Sequence, residues 1–314
     1  DYYITTDATT EMLGNDPKVF YQKEYGLGSQ DEIESITVDA TYEVTLNDND
    51  IVADIGANDG TLLSFYPSNV TRVGIDPAQN IHNELKNNCD VMIGDFFNKN
   101  NWVEKLGNKK AKIITTIAMF YDLDNPNEFV QDIKSVLDES GVWVCQLMTA
   151  RPMLDTNDLG NVIHEHLEYY SYKALVNLLE RNGLEIYQVR ENDINGGSYQ
   201  LYIQHYNDGS CKYEEDCSTT RYTTWKSNID KNRDDTMNFL RTEVSNGKKV
   251  YIMGASTKGN TIMQYYGLDS DVIPAVTHVS LLYRNEIYQA KITLVNEKVN
   301  HLNGIVYLSF LLRF

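Results

Sequence analysis

The sequence of 314 residues is poor in cysteine, and its four cysteines are widely spaced. Cys89, Cys145, Cys211 and Cys217 form no CxxC pair. Because such pairs supply the ligands of most structural zinc sites, we expect no metal site. Cys145 lies inside an apolar run, which is typical of a buried thiol. Cys211 and Cys217 would pair in an oxidising compartment, but the lack of a recognisable signal peptide predicts a reducing cytoplasm.

Long apolar runs and positive charge are also scarce. No stretch of about 18 consecutive apolar residues occurs, which argues against a membrane-spanning helix. The 45 acidic residues outnumber the 27 lysines and arginines, so the net charge is −18 at pH 7. Nucleic-acid binding requires a basic surface, and this composition argues against such a partner. A small anionic substrate stays compatible with it, because a few local donors can outweigh the overall field.

The sequence does contain the alternation of strands and helices that is typical of an α/β protein. Its hydrophobic fraction of 42% is sufficient for a sizeable core. Apolar segments predict strands at 50–56, 70–76, 90–94, 111–118 and 141–148. Two further strands, near 184–190 and 198–206, are joined by a loop too short for a parallel crossover, so they should form an antiparallel hairpin at the sheet edge. We therefore predict a doubly wound, mostly parallel sheet of seven strands.

Two helices of this sheet have clear start signals. Asn125 precedes Pro126 and Glu128, which is the pattern of an N-cap, a proline in the first helical position and a capping-box acid. We expect that helix to end at Gly141. Ser171 is the predicted cap of a later helix that continues to about Gly183.

The most informative motif runs from Val52 to Thr61. An apolar strand ends there in Asp54, and a turn follows that contains Gly56, Asn58 and Gly60. Glycine permits the backbone to come close to a ligand, so this turn predicts a cofactor site. The alternative is a tight strand–helix turn that holds no ligand.

A second apolar run ends in Asp76-Pro77, and this carboxylate weighs against the alternative. An acid at the end of the second strand can accept hydrogen bonds from both hydroxyls of an adenosine ribose. The acids Asp54 and Asp59 would repel a pyrophosphate, whereas they would attract the sulfonium and ammonium groups of S-adenosylmethionine. The electrostatics therefore favour S-adenosylmethionine over NAD.

The ends of the third and fourth strands supply further candidates. Asp95 and Phe96 close the third strand, where an acid can accept from the adenine amino group and an aromatic ring can lie beside the base. Ala118 and Met119 end the fourth strand, and we expect them to form the floor of the pocket. Phe120, which follows them, is as compatible with the core as with the pocket.

Residues 54–60, Asp76-Pro77 and Asp95-Phe96 together resemble the cofactor motifs of class I S-adenosylmethionine-dependent methyltransferases. The resemblance implies a seven-stranded α/β domain with S-adenosylmethionine at the carboxyl ends of its first strands.

The sharpest catalytic candidate is the segment 164–171, which begins His164-Glu165-His166. Metal binding would need more ligands than two histidines at this spacing. A structural role is the better expectation for His164. General base catalysis needs a group with a pKa near neutrality beside an acid that orients it, and His166 with Glu165 fits that requirement.

The same segment resembles the sugar C-methyltransferases, together with Asn195-Gly196-Gly197-Ser198 and the loop from Gly254 to Thr261. The resemblance runs from about Tyr21 to about Ala275. It implies a two-domain enzyme that methylates carbon in nucleotide-linked keto-deoxysugars, with the nucleotide-sugar site between the domains. A base removes the proton next to the keto group, and the resulting enolate carbon attacks the methyl group of the cofactor.

The resemblance also implies roles for individual residues. His166 would be the base and Glu165 its active-site neighbour, and Tyr25 falls where the family has an active-site tyrosine. A tyrosine or amide donor can stabilise the enolate oxygen. Asn195 and Ser198 would bind the substrate.

The second glycine loop contributes two further substrate-binding candidates. Lys258 and Asn260 suit a diphosphate, since a helix N-terminus and a cation both favour an anion. The alternative is an ordinary turn with a surface lysine.

The sequence departs from the family pattern in several places. A zinc-binding cysteine module is absent ahead of the arm, Ile163 replaces a tyrosine, Leu27 replaces an aromatic residue, and the pattern stops after Ala275. Three alternatives therefore stay open: an O- or N-methyltransferase of another small metabolite, a catalytically inactive cofactor-binding homologue, and an NAD oxidoreductase built on the second glycine loop.

These observations predict four regions along the chain. Residues 1–45 form an N-terminal arm, 46–207 the methyltransferase domain and 208–246 a helical connector. Residues 247–314 form a smaller Rossmann-like domain that is atypical or truncated after about residue 275.

Overall fold

The computed structural model describes residues 35–37, 43–192, 194–247, 249–253, 257–268, 275–277 and 305–309. Tyr25, most of the predicted N-terminal arm and residues 254–256 of the second glycine loop lie outside the described residues. The chain divides into two units. Unit 1 comprises Asp1–Pro152, Leu167–Asp216 and Phe314, and unit 2 comprises Met153–His166 and Cys217–Arg313.

Unit 1 contains the first nine described strands of the chain. They are β1 (Ser35–Thr37), β2 (Glu43–Thr45), β3 (Ile51–Ile55), β4 (Thr71–Ile75), β5 (Val91–Ile93), β6 (Ala111–Ile117), β7 (Leu137–Met148), β8 (Leu184–Asn192) and β9 (Ser198–His205). The helices between them are α1 (His82–Asn88), α2 (Lys99–Leu106), α3 (Pro126–Val136), α4 (Ala150–Thr156), which continues into unit 2, and α5 (Tyr172–Glu180). Short 3-10 turns cover Leu63–Phe65, Gln79–Ile81, Phe120–Asp122 and Ile194–Gly196.

Seven of these strands form one sheet in the order β5-β4-β3-β6-β7-β9-β8. The strands from β5 to β7 are parallel, and β9 is antiparallel to both β7 and β8. The predicted seven-stranded sheet and its antiparallel edge hairpin are therefore confirmed. The strand order reverses beside β3, since β4 lies on one side of it and β6 on the other. Ligands of doubly wound sheets bind at the carboxyl ends of the strands that flank such a reversal.

Apolar side chains cover the sheet on both faces. Val52, Ile113 and Val144 lie on one face, where Leu63 and Leu85 pack against them in one buried cluster. We call this the Val144 face. The opposite face carries a larger cluster, which includes Ile114, Trp143, Phe120 and residues of α3 and α5. Burial on both faces explains why the central strands are apolar almost throughout.

Helix α3 begins as predicted but ends earlier. The Asn125 side chain accepts from the backbone N–H of Glu128, as an N-cap does. The helix stops at Val136, and β7 continues directly from Leu137, so the expected stop at Gly141 is wrong. Gly141 instead lies within β7, where a Cβ atom would come within 2.9 Å of the Lys112 carbonyl oxygen. Glycine permits this close approach next to an irregularity in the β6–β7 register.

Helix α5 begins at its predicted cap, because the Ser171 side chain accepts from the backbone N–H of Ala174. Its apolar side chains Leu175, Leu178 and Leu179 are buried, as their helical spacing predicts.

Unit 2 contains the long helix α6 (Thr219–Ser245), strand β10 (Lys249–Met253), helix α7 (Thr257–Tyr266) and strands β11 (Ala275–Thr277) and β12 (Ile305–Ser309). The three strands are parallel in the order β11-β10-β12. The predicted strand at residue 249 and the helix after it are thus present. Met237 and Leu240 of α6 pack with Met263 and Tyr266 of α7. Among the described helices, none combines the length and hydropathy that crossing a membrane requires.

Candidate active site

The first glycine turn connects β3 to the short turn at Leu63–Phe65. Gly56 and Ala57 donate to the Ile75 carbonyl at 2.9 and 3.1 Å, which ties the turn to the end of β4. Gly60 has a φ of +79°, and a Cβ atom there would lie 2.8 Å from Cβ of Asn88. Only glycine adopts this conformation in so little space. The exposed Gly56 also has a positive φ, so the turn presents bare backbone to solvent.

Asp54 is the penultimate residue of β3 and is buried like the rest of that strand. Its carboxyl accepts a hydrogen bond of 2.5 Å from Thr115 Oγ1 on the neighbouring strand β6. Burial raises the pKa of Asp54 to about 7; the Thr115 hydrogen bond opposes this shift, and the nearby acids Asp76 and Asp59 add to it. A cation next to Asp54 would favour its ionised form and so lower this pKa.

Asp76 follows β4 and is buried. Its Oδ2 accepts from the backbone N–H of Asn58 at 3.0 Å, and its Oδ1 accepts from that of Ala78 at 2.8 Å. Each oxygen of a carboxylate has two acceptor positions, so each oxygen of Asp76 retains one that these two bonds do not use. Asn58 has a φ of +50° and is held in this conformation within the turn. Pro77 is exposed beside it.

Asp95 and Phe96 lie just after β5, as predicted, and both are exposed. The Asp95 carboxylate accepts from the backbone N–H of Phe96 at 2.7 Å. The Phe96 ring is 71% exposed, which is unusual for a large apolar side chain and leaves its face open to a planar ligand.

Ala118 and Met119 directly follow β6, next to the carboxyl end of that strand. Ala118 has a φ of +55°, which is uncommon for a residue with a Cβ atom. Met119 lies against the first glycine turn, since a Cβ atom on Gly56 would be 3.4 Å from Met119 Cγ. Phe120 is buried in the core between Phe129 and Trp143 and does not line the pocket.

His166 is in unit 2 and is half-buried. Its Nδ1 lies 2.9 Å from the carbonyl oxygen of Asn161. Because a carbonyl oxygen only accepts, Nδ1 donates, and in the neutral imidazole Nε2 carries the lone pair. Burial lowers the pKa of His166, and Lys258 lowers it further, whereas the bond to Asn161 and the acids Glu165 and Asp158 oppose the shift. The neutral, proton-accepting form is therefore favoured.

Asn161 is a functional candidate that the sequence analysis did not identify. Its Nδ2 donates to Asp158 Oδ2 at 2.6 Å, and its backbone N–H also faces that carboxylate. The Asp158–Asn161 contact closes the loop that holds His166. The signal for this role is the Asp-x-x-Asn spacing of a local turn, which is too common in loops to be recognised from sequence.

Glu165 contacts the neighbouring histidine rather than orienting His166 through a hydrogen bond. His164 Nδ1 lies 3.1 Å from Glu165 Oε2, and the His164 side chain is 85% exposed. His164 therefore fills no core position, contrary to the structural role expected for it. Glu165 acts on His166 through its charge.

Lys258 lies in the first turn of α7, near the same loop. Burial lowers the pKa of its ammonium group, and Asp158 opposes that shift. Thr261 Oγ1 donates to the Val162 carbonyl at 3.1 Å and joins α7 to the loop before His166. Asn260 is exposed on α7. An anion near Lys258 would favour its charged form.

The remaining predicted residues lie in the β8–β9 hairpin. Asn195 is in the 3-10 turn, and Ser198 begins β9. The buried Ser198 hydroxyl donates to the Ile194 carbonyl at 2.8 Å, so its proton closes the turn and its oxygen retains acceptor capacity. No group of three potential metal ligands occurs in the part of the chain that the structure describes.

Two family models match this chain. One, described as a methyltransferase domain, matches residues 37–189. The other, described as the C-methyltransferase C-terminal domain, matches residues 193–297, beyond the point near Ala275 where the sequence resemblance stopped. Together the two matches cover well over half of the chain. The chain belongs to the class I S-adenosylmethionine-dependent C-methyltransferases.

Individual relatives are more distant. The C-methyltransferase NovU of Streptomyces niveus is 23% identical over 262 residues, which cover 78% of this chain and 61% of NovU. This chain thus spans about three fifths of the length of that curated relative. Among solved structures, YcgJ of Bacillus subtilis has 14% identity and a TM-score of 0.41, covering 53% of this chain and 95% of YcgJ. A TehB-like S-adenosylmethionine-dependent methyltransferase of Corynebacterium glutamicum has 11% identity and a TM-score of 0.41, covering 64% of this chain and 95% of that one.

The cofactor of this C-methyltransferase family is S-adenosylmethionine, and the residues of unit 1 fit it. Asp54 is a buried acid whose ionised form a nearby cation would favour, and Asp76 retains acceptor positions on both oxygens. A turn with two glycines lies between them in sequence. The described contacts therefore bring Asp54, Gly56, Asn58, Gly60, Asp76 and Met119 together in unit 1. Separately, they bring His166, Glu165 and Lys258 together with Asn161 and Asp158 in unit 2.

Proposed function

We propose that this C-methyltransferase transfers a methyl group from S-adenosylmethionine to a carbon atom of a nucleotide-linked keto-deoxysugar. The observation that carries the proposal is the state of His166. Its Nδ1 donates to the Asn161 carbonyl and its pKa is lowered by burial, so Nε2 is a proton acceptor at neutral pH. Methylation at oxygen or nitrogen does not require the removal of a C–H proton, whereas methylation next to a keto group does.

The residues of unit 1 would hold the cofactor. Asp76 would accept hydrogen bonds from the ribose hydroxyls. Asp54 would stabilise the positively charged sulfonium and ammonium groups of S-adenosylmethionine. Asp95 and Phe96 would bind the adenine through its amino group and its ring face, and Ala118 and Met119 would form the floor beneath it. When bound, S-adenosylmethionine supplies an electrophilic methyl group on a sulfonium.

His166 would carry out the first chemical step. Nε2 takes the proton from the carbon next to the keto group, and the electron pair of that C–H bond moves into the carbonyl to form an enolate. The enolate carbon then acquires the methyl group. The products are the C-methylated sugar, S-adenosylhomocysteine and one proton, which His166 returns to solvent. Glu165 stabilises the imidazolium that forms during this step.

The nucleotide part of the substrate would bind at α7. Lys258 is partly buried, and an anionic diphosphate would favour its charged form. Asn260 on the exposed side of the helix and Asn195 and Ser198 in the β8–β9 hairpin are further candidate contacts. Tyr25 stays a candidate donor to the enolate oxygen.

We also propose a cytoplasmic location. Cys89, Cys145 and Cys211 are free thiols, as expected in a reducing compartment.

The site of methylation tests the proposed function. The protein is incubated with S-adenosylmethionine carrying a ¹³C-labelled methyl group and a panel of nucleotide-linked keto-deoxysugars, and the products are examined by NMR. We expect the labelled methyl group to be bonded to carbon. A label on oxygen or nitrogen would favour the alternative methyltransferase activities. Cofactor binding without any transfer across the panel would favour an inactive homologue.

The role of His166 has its own test, which needs no methyl donor. In D₂O a base exchanges the acidic C–H proton of the keto sugar for deuterium. We expect His166→Ala to reduce both this exchange and methyl transfer by about 10²–10⁴-fold while leaving S-adenosylmethionine affinity unchanged. The exposed His164→Ala is the matched control and should keep both activities. Full activity of His166→Ala would exclude His166 as the base.

A further inference from the structure

Unit 1 has a buried glutamine within its seven-stranded sheet. Gln146 lies in β7 and is only 1% exposed. Neither its Nε2 nor its Oε1 has a hydrogen-bond partner among the described residues. Buried side-chain amides in folded proteins are nearly always paired, so this one calls for an explanation.

A second buried glutamine lies directly beside it. Gln200 of β9 is the register partner of Gln146, and such pairs share one face of the sheet. Gln200 is also 1% exposed, and its Nε2 has no partner in the part of the chain that the structure describes. Two adjacent amides thus offer two donor groups and one acceptor that no described residue uses.

The orientation of the Gln200 amide is fixed by its neighbours. Arg190 Nη1 donates to the hydroxyl oxygen of Tyr202 at 2.8 Å, and that hydroxyl donates to Gln200 Oε1 at 3.1 Å. Because the Tyr202 proton must go to an acceptor, the oxygen of the Gln200 amide faces Tyr202 and its NH₂ group faces away. The donor of Gln200 is therefore held in place.

The amide pair lies on the same face as the cofactor acid. Asp54 pairs in register with Thr115, and Thr115 pairs with Val144. Gln146 is two residues beyond Val144, so its side chain points to the Val144 face, as Asp54 does. Strand spacings of about 4.8 Å and a rise of about 3.3 Å per residue place the Cα atoms of Asp54 and Gln146 roughly 12 Å apart. A methyl acceptor that lies next to a cofactor bound at Asp54 would extend across that distance to Gln146.

We propose that Gln146 and Gln200 bind the hydroxyl and carbonyl groups of the methyl acceptor and so determine its specificity. A neutral amide both donates and accepts, which suits the oxygen atoms of a sugar ring better than it suits a phosphate or a carboxylate. The proposal rests on the function proposed above, since it assumes an oxygen-rich neutral ring as the acceptor. It assigns to the sheet of unit 1 a substrate contact that the segment 164–171 and α7 do not supply.

Gln146→Leu and Gln200→Leu test the proposal, because leucine has a similar size and no polar atoms. Gln146→Leu removes an amide whose two polar atoms have no partner among the described residues, so its melting temperature should stay unchanged or rise by about 2–4 °C. Gln200→Leu also removes the acceptor of the Tyr202 hydroxyl, so its melting temperature should fall. The affinity for a nucleotide-linked keto-deoxysugar should fall about 10–100-fold, because each variant loses hydrogen bonds to the ligand. Affinity is measured by calorimetry in the presence of S-adenosylhomocysteine, whose own binding should not change.

Gln204→Leu is the matched control on the same strand and the same face. Gln204 Nε2 donates to Glu185 Oε1 at 2.8 Å, so this amide has a structural partner. The control should lower the melting temperature and leave sugar binding intact.

The outcomes separate this proposal from the proposed function. Sugar binding by the wild-type protein without methyl transfer would overturn the proposed function, and the variants would still decide the role of the amides. Unchanged sugar affinity in Gln146→Leu and Gln200→Leu would overturn the present proposal, as would a melting temperature of Gln146→Leu that is lowered like that of the control. A wild-type protein that binds no member of the panel would overturn both.

Discussion

The hydroxyl of Thr115 donates a hydrogen bond to the buried carboxyl of Asp54, and the two residues are 61 positions apart in the chain. This bond joins the central strands β6 and β3 near their carboxyl ends, where the strand order of the sheet reverses. It opposes the effect of burial, which nevertheless raises the pKa of Asp54 to about 7. Asp54 is therefore close to half-protonated under ordinary conditions, and its charge responds to what binds next to it.

The first prediction concerns the pH dependence of folding. The carboxyl of Asp54 has a pKa of about 7 when folded and an ordinary value of 3.8. Between these values the folded protein keeps a proton that the unfolded chain releases, so stability is lost as pH rises from about 4 to 7. Asp54→Asn does not titrate, so the wild type should lose about 4 kcal/mol relative to this variant across that range. Urea unfolding at several pH values measures the difference, and a difference that does not vary with pH would contradict the raised pKa.

The second prediction concerns cofactor affinity. Asp76→Ala removes the acceptors for the backbone of Asn58 and Ala78 and the proposed ribose contacts. We expect about 10–100-fold weaker binding of S-adenosylmethionine by calorimetry. Asp90→Ala is the control. Asp90 pairs with Arg72 near the amino ends of β4 and β5, whereas Asp76 follows the carboxyl end of β4. The control should change cofactor affinity very little, and equal effects of the two variants would reject the ribose assignment.

The third prediction separates backbone strain from steric overlap. Gly60 has a φ of +79° and no room for a Cβ atom beside Asn88 and Leu85, whereas Gly107 has a φ of +64° and no atom nearby. Gly107→Ala should cost about 1–3 kcal/mol of unfolding free energy through backbone strain alone, since its φ of +64° and ψ of −135° disfavour a Cβ atom. Gly60→Ala should cost about 1–3 kcal/mol more, because steric overlap is added to strain. Chemical denaturation of both variants measures this. Equal losses of unfolding free energy in the two variants would show that the turn at Gly60 shifts enough to accommodate the added Cβ atom.

The fourth prediction concerns the titration of His166. Lys258 lowers the pKa of His166 and Glu165 raises it. Lys258→Met should therefore raise the pKa of His166, and Glu165→Gln should lower it. NMR titration of the imidazole protons measures both values without any substrate. Shifts of the same sign in the two variants would contradict the arrangement of charges around His166.

Much of the fold could be predicted because its signals are local. Asn125 and Ser171 were recognised as helix caps from the few residues after them, and the structure shows both side chains accepting the expected backbone bonds. The hairpin at the sheet edge followed from the short loop between β8 and β9. The end of α3 was predicted wrongly, because Gly141 serves a close approach to β6 that no local pattern reveals.

The candidate site was predictable to a lesser degree. The turn from Asp54 to Gly60 and the acid at Asp76 were recognised because each stands at the end of an apolar strand. Asn161 was missed, since its contribution to His166 is a backbone carbonyl, which every residue has. Gln146 and Gln200 were missed because they are 54 residues apart in sequence and become neighbours only through the register of β7 and β9.

The sequence by itself determined which residues form strands, where helices begin and which turns must contain glycine, because each of these depends on interactions within a few residues. The tertiary structure alone decided the strand order, the raised pKa of Asp54, the contact of His166 Nδ1 with the Asn161 carbonyl and the pairing of the two buried glutamines. Burial and hydrogen bonding between distant segments set these properties, and they exist only once the chain has folded.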